Sequence, residues 1–237
     1  MSEQALQQVT RKPKTSFWKA MWAVAWKDLA AERRSREILS AMLTFSLLVV
    51  IIFNFSLDLN PKIQQEVTGG LLWVTFTFVG TLGLNRSMAI EKDRGCLDGL
   101  LLAPVDRSAI YFGKVIGNLV FMLVVEVIVL PVFSIFYNVN LFNLGLLGVI
   151  LLGSIGYVVV GTLFSTMTVQ TRSRDMLLPI ITFPVVFPLI VAAARATTFL
   201  LQEQPMDLIW PSINLMIAFN VIFTAAAYML FDFVVEE

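Results

Sequence analysis

Six long apolar runs occupy most of this 237-residue chain and constrain its fold more than any other feature. Each run is close to or above the roughly 20 residues that a helix needs to cross a bilayer. Only 14% of the residues are charged, whereas soluble domains carry about 25%. The sequence therefore predicts an all-α membrane protein with six transmembrane helices. The predicted spans are residues 38–57, 67–89, 110–137, 144–168, 176–201 and 208–234.

Lysine and arginine are distributed unevenly between the segments that flank these spans. Only Lys62 and Arg195 fall on one side of the predicted membrane, and the other fifteen of the 17 basic residues fall on the opposite side. Because cytoplasmic loops carry the excess of Lys and Arg, we expect both termini to be cytoplasmic. The chain then divides into a cytoplasmic N-terminal segment, residues 1–36, and a six-helix transmembrane domain, residues 37–237.

The N-terminal segment contains a predicted amphipathic helix at residues 16–36. Trp18, Trp22 and Trp26 recur at every fourth position, so they share one face of a helix. Tryptophan suits the headgroup level of a bilayer, and a span follows immediately. We therefore predict an interfacial helix; the alternative is a soluble helix that packs on protein.

The connection between the second and third spans, residues 91–108, is the most informative polar segment. It opens with a charged cluster that includes Glu91 and Asp93, and Gly95 then permits a turn. Residues 96–102 read as a short amphipathic helix, and Pro104 closes it. Such a helix across the cytoplasmic end of a bundle is a natural docking element for a soluble partner. Alternatively, it rests on the membrane surface without a partner.

Three prolines interrupt the predicted fifth span, at Pro179, Pro184 and Pro188. Each removes a backbone donor and clashes with the preceding turn. One interpretation is a kinked or broken helix that lines a path or a subunit interface and takes part in gating. The other is a static kink without a functional role.

Glu126 lies midway along the predicted third span. A carboxylate at that depth is costly and faces the bundle interior or a partner. It is either a relay or gating group, or it makes an interhelical hydrogen bond to Asn118, to a threonine or to a backbone carbonyl.

A family resemblance rests on the connection after the second span. The pattern there is similar to the ABC-2 type permeases and most resembles the CcmB family, the permease subunit of cytochrome c maturation. Three further segments support it: residues 26–29, residues 70–74 and the proline-rich residues 178–190. The pattern consists of Glu91, Gly95, Leu97, Asp98, Leu100, Leu101, Pro104 and Lys114. The resemblance implies that contact with an ATPase is made by Glu91, Asp93, Gly95, Leu97, Asp98, Leu100, Leu101 and Pro104.

The resemblance also implies a set of partners and a location. ATP would be bound and hydrolysed by a separate CcmA-like ATPase, because this chain has no P-loop motif. A CcmC-like haem-handling protein, a small CcmD-like subunit and, indirectly, a CcmE-like chaperone would complete the system in the bacterial inner membrane. The permease itself is a possible homodimer. Nothing indicates a nucleic-acid partner.

Haem would be cargo rather than a cofactor of this chain. The sequence contains no histidine and one cysteine, predicted on the cytoplasmic side, so we expect a partner to supply the haem ligands. We expect no bound cofactor, no metal site and no enzymatic activity in this subunit.

Other functions remain open at this point. The chain could be an ABC-2 permease for another lipid or drug, or an assembly subunit that transmits ATPase motion without moving cargo. An intramembrane enzyme is disfavoured, because the sequence offers no paired aspartates in adjacent spans, no zinc-protease motif and no nucleophile with a base.

Overall fold

The computed structural model describes residues 16–56, 61–93, 95, 99, 105–169, 171 and 173–234. Over that part of the chain the protein is built from seven α-helices and no strands. In chain order the helices are α1 (Phe17–Ser35), α2 (Glu37–Ser56), α3 (Pro61–Asp93), α4 (Arg107–Phe136), α5 (Leu144–Thr168), α6 (Arg174–Leu201) and α7 (Met206–Val234).

The six-span prediction is confirmed. Helices α2 to α7 are each long and apolar enough to cross a membrane, and α5 has the predicted bounds. The largest difference is in α3, which extends beyond the predicted residues 67–89 at both ends. Its additional turns are polar, so hydropathy does not reveal them although the backbone remains helical.

Helix α5 lies at the centre of the bundle and packs against α3, α4, α6 and α7. Its glycines permit this close packing. A Cβ added to Gly153 would stand 2.0 Å from the Trp73 ring, and one added to Gly161 would stand 2.3 Å from Leu84. Helix α5 therefore occupies a position that a helix with larger side chains at these residues could not adopt.

Buried polar side chains connect the spans to one another. Such bonds hold membrane helices in register, because lipid offers no competing partner. The donor–acceptor distances are 3.0 Å for Trp73 to Thr197, 2.7 Å for Tyr111 to the Val159 carbonyl, 3.1 Å for Asn118 to Thr162 and 3.0 Å for Asn220 to the Leu152 carbonyl.

Helix α6 is continuous, so the span is not broken at its prolines, and a kinked helix and a static kink both remain open. It runs from Arg174 to Leu201 with Pro179, Pro184 and Pro188 inside it. Each proline removes only its own backbone N–H donor. The residues in the turns on either side still have their backbone N–H groups. Within a bundle, neighbouring groups can satisfy the carbonyls that are released. Whether these prolines take part in gating remains a prediction.

The N-terminal helix α1 packs along α4 and connects directly to the first span. Arg36 alone separates α1 from α2, and its left-handed backbone (φ 56°) turns the chain. The buried Glu32 carboxylate accepts a hydrogen bond from the Leu39 backbone N–H at 2.8 Å. Because Leu39 lies in the first turn of α2, Glu32 satisfies one of the donors at the start of that helix.

Candidate functional site

Three helices bring four charged side chains together at one end of the bundle. Helix α1 supplies Lys27 and Asp28, α3 supplies Glu91 from its last turn, and α4 supplies Lys114. We call these four residues the charge network. They are far apart in the sequence, and only the packing of α1 across α3 and α4 makes them neighbours.

Each charge in the network has partners of the opposite sign. The Lys114 ammonium donates to Asp28 at 3.0 Å, and the Lys27 ammonium lies 3.2 Å from the other Asp28 oxygen. Glu91 pairs with both lysines, one through each carboxylate oxygen. The two cations and two anions therefore form a closed and formally neutral set.

Most of the network is removed from solvent. The side chains of Lys114, Glu91 and Asp28 are only 3%, 8% and 9% exposed, whereas Lys27 is 40% exposed. Buried charges are tolerated when they are paired and become costly when a partner is lost. The arrangement therefore favours a single docking position for α1, in which all four charges are satisfied.

Lys27 is the most exposed member of the network. Together with Asp28 and Glu91 it lines a cavity of about 150 Å³, to which Glu32 and Ser87 also contribute. Burial lowers the pKa of the Lys27 ammonium, but the carboxylates of Asp28 and Glu91 outweigh that effect and raise this pKa above its usual value. Lys27 is thus held in its charged form.

The network joins the two helices that lead into and out of the polar connection. Glu91 lies two residues before the end of α3, and Lys114 lies in the second turn of α4. Between them, Gly95 has a left-handed backbone (φ 64°), a conformation in which other residues are strained. The ion pair between Glu91 and Lys114 therefore fixes the distance between the two ends of the connection.

The same end of α3 also contacts the end of α5 and the start of α6. Lys92 donates to the Val169 carbonyl at 2.7 Å, and Asn85 donates to the Asp175 carboxylate at 2.8 Å. Arg174 lies 3.7 Å from Asp93. Asp93 and Asp175 are exposed, so these polar contacts are weaker than the buried ones.

The structure places some of the predicted coupling residues and leaves others outside the described part of the chain. Glu91 is buried in the charge network, whereas Asp93 and Gly95 are exposed. Whether these three residues contribute to contact with an ATPase remains a prediction. The predicted residues that lie outside the described residues are Leu97, Asp98, Leu100, Leu101 and Pro104, together with the predicted helix at 96–102.

Sequence reasoning did not connect Lys27, Asp28 and Lys114 with Glu91. A signal was present in Lys114, which is a charge beside a long apolar run and requires a counterion there. Its partner, however, lies 86 residues away at Asp28. No local pattern indicates which of the many acidic residues pairs with it.

Glu126 makes an interhelical hydrogen bond, although not to Asn118, a threonine or a backbone carbonyl. It is buried within α4 and accepts a hydrogen bond from the Ser154 hydroxyl of α5. Asn118, one of the three expected partners, instead donates to Thr162. The side-chain bond satisfies one carboxyl oxygen. A relay or gating role for Glu126 remains a prediction.

The chemistry that these groups can perform is electrostatic pairing. Among the described residues, no group of three or more potential ligands is arranged to hold a metal ion. The charge network links α1, α3 and α4 by ion pairs, so a displacement of one helix would move the others.

Comparison with known proteins identifies relatives along most of the chain. A family model described as CcmB protein matches residues 19–233. A protein of Rhodobacter capsulatus named heme exporter protein B is 26% identical over 175 residues, which cover 73% of this chain and 80% of that protein. A protein of the same name from Pseudomonas aeruginosa is 22% identical over 173 residues, covering 72% and 76%. The Escherichia coli K12 protein of that name is 29% identical over 98 residues, covering 41% and 44%.

Proposed function

The chain belongs to the CcmB family, and from this premise we propose that it is the membrane subunit of an ABC transporter that serves cytochrome c maturation. It couples ATP hydrolysis by a separate ATPase subunit to the export of haem or to the release of a haem-loaded chaperone. The names of its relatives support the haem system, and six helices suited to crossing a membrane support a permease.

The charge network is the observation that carries the coupling part of the proposal. It holds α1, α3 and α4 together at both ends of the connection that follows Asp93. A partner that pushes on this connection therefore moves three helices rather than one flexible loop. In the proposed mechanism, the ATPase docks on residues 94–106, and the network passes its motion to the bundle.

In this proposal, ATP hydrolysis and haem ligation belong to other subunits. A CcmA-like ATPase binds and hydrolyses ATP, a CcmC-like protein ligates haem, and CcmD-like and CcmE-like proteins complete the path. The permease acts as a homodimer in the bacterial inner membrane with both termini in the cytoplasm. This subunit itself is not an enzyme in this scheme.

A substitution at Gly95 tests the proposal. The full chain is co-expressed with its ATPase and haem-handling partner, the complex is reconstituted, and ATP hydrolysis and haem delivery are measured. Gly95→Val strains the left-handed turn by about 1–2 kcal/mol without reaching the bundle. We expect the complex to assemble and hydrolyse ATP, but haem delivery to be lost.

Gly148→Val is the matched control. Gly148 of α5 lies outside the proposed docking segment and has open space around it and no left-handed backbone, so its substitution should leave haem delivery close to the wild-type level. Full haem delivery by the Gly95 variant would contradict the coupling role. Haem delivery by the chain and its ATPase alone would indicate a transporter, whereas a strict need for the haem-handling partner would indicate a release subunit.

A further inference from the structure

The outward face of α1 is a continuous aromatic surface that no other part of the described chain covers. Trp18, Trp22 and Trp26 are 71%, 59% and 60% exposed. Positions four apart on a helix lie above one another on the same side, so the three indoles form a stripe along α1. We call it the tryptophan stripe. Tryptophan combines a large apolar ring with an N–H donor, a combination that suits the headgroup level of a bilayer.

Every charged residue of α1 that is classed as exposed is basic. These residues are Lys19, Arg33 and Arg34. Arg33 follows Trp22 by three helical turns and Lys19 is adjacent to Trp18, so both lie beside the stripe. The acidic residues of α1, Asp28 and Glu32, are turned inward and engaged by Lys114 and by the Leu39 N–H. The helix therefore presents these three cations outward and keeps both of its anions inward, where Lys27 belongs to the charge network.

The position of α1 is set by contacts on its inner side. A Cβ on Gly113 of α4 would stand 2.7 Å from the Met21 carbonyl, which shows how closely the two helices approach. The charge network fixes the same side. A rotation that buried the tryptophan stripe would therefore break both the close packing and the ion pairs.

The end of α1 is also held at the place where the first span begins. Arg36 is the single residue between the two helices, and Glu32 joins them by its hydrogen bond to Leu39. Because α2 is long and apolar enough to cross a membrane, α1 lies next to the membrane surface. The indoles are thus presented where lipid headgroups are found.

We propose that the outward face of α1 is a docking surface for acidic phospholipids. The indoles of the tryptophan stripe insert among the headgroups, and Lys19, Arg33 and Arg34 select anionic over zwitterionic lipid. The inference rests on the geometry of α1 and does not depend on the transport function proposed above. If the indoles alone bound the membrane, α1 would not prefer anionic over zwitterionic lipid. The preference for anionic lipid is therefore the property to measure.

Quenching of tryptophan fluorescence by brominated lipid tests this surface. The full chain is placed in nanodiscs of mixed phosphatidylcholine and phosphatidylglycerol, in which either one lipid or the other carries bromine at the same mole fraction. A Trp18→Phe/Trp22→Phe/Trp26→Phe variant fluoresces only through Trp73 and Trp210. Subtracting its signal from that of the wild type leaves the fluorescence of the stripe. We expect brominated phosphatidylglycerol to quench the stripe about fivefold more effectively, the preference that one engaged basic residue provides.

A charge variant and its control decide the outcome. Lys19→Gln/Arg33→Gln/Arg34→Gln should remove the preference for phosphatidylglycerol while both lipids still quench. Arg195→Gln, at an exposed basic residue of α6, should leave the preference intact. Equal quenching of the wild type by the two lipids would overturn the proposal. Absence of quenching by either lipid would overturn it as well and would indicate that protein covers the stripe.

Discussion

Four charged residues from three helices neutralise one another inside this molecule. In the charge network, each carboxylate forms ion pairs with both lysines, so no member is paired with one partner alone. The loss of any one therefore unbalances the other three. Breaking these buried ion pairs should therefore cost more stability than breaking the exposed ion pairs elsewhere in the protein.

Replacing Lys114 by methionine should strongly destabilise the protein. The substitution keeps the length of the side chain but leaves Asp28 and Glu91 with Lys27 as their only common cation. Breaking a buried ion pair on one side costs about 3–5 kcal/mol. Thermal unfolding of the purified chain in detergent should show a large loss of Tm.

Two comparisons control this result. Arg86→Gln removes an exposed contact with Glu37 (3.4 Å) and should cost about 0–1 kcal/mol. Combining Lys114→Met with Asp28→Asn restores the charge balance and should recover part of the lost stability. If the double variant lost more stability than the two single variants lose together, the result would contradict the network.

Glu126 and Ser154 should behave as a structural pair. The carboxyl accepts one hydrogen bond through one oxygen, and its other oxygen has no hydrogen-bond partner among the described residues. Glu126→Gln retains an acceptor, so stability and transport should stay at the wild-type level at every pH. Ser154→Ala leaves the buried carboxyl without its donor and should cost about 1–3 kcal/mol. A changed pH profile of transport in the Gln variant would instead support a relay.

At the scale of helices, hydropathy predicts where each span lies, because that depends on one segment. It does not predict contacts between helices, because those depend on two segments. The spans follow from length and apolar content, and the bounds of α5 are those expected from its sequence. The sequence left open whether α6 is broken at its three prolines, because local sequence does not show how a bundle accommodates the freed carbonyls. The partners of Lys114 and Glu126 were missed for the same reason, since they lie on other helices.

The close approach of α3 and α5 should make Gly153 sensitive to a single methyl group. A Cβ there would stand 2.0 Å from the Trp73 ring, and Trp73 is held by its bond to Thr197. We expect Gly153→Ala to cost about 1–3 kcal/mol by overpacking.

Gly148 of the same helix provides the matched control for this measurement. A Cβ added there meets nothing within 4 Å, so Gly148→Ala should be neutral or should stabilise the helix by about 0.5–1 kcal/mol. Equal unfolding midpoints for the two variants would contradict the packing described for α5.

At the scale of the whole molecule, basic residues predict which end of the bundle faces the cytoplasm. The charge network, the contacts of α3 with α6 and the basic face of α1 all lie at the same end. We expect alkaline phosphatase fused within residues 138–143 to be active and the same enzyme fused after residue 237 to be inactive. A fluorescent protein at the C-terminus should give the opposite pattern. Activity of the phosphatase at the C-terminus would reverse the orientation.

The charge network also has a consequence for the order in which the protein is assembled. Lys27 and Glu91 are 64 residues apart and Asp28 and Lys114 are 86 residues apart, while chains are synthesised from the N-terminus. Helix α1 is synthesised before α3 and α4, yet the cation that completes its docking site belongs to the third span. Helix α1 therefore reaches its final position only after two spans have been inserted and the third has begun.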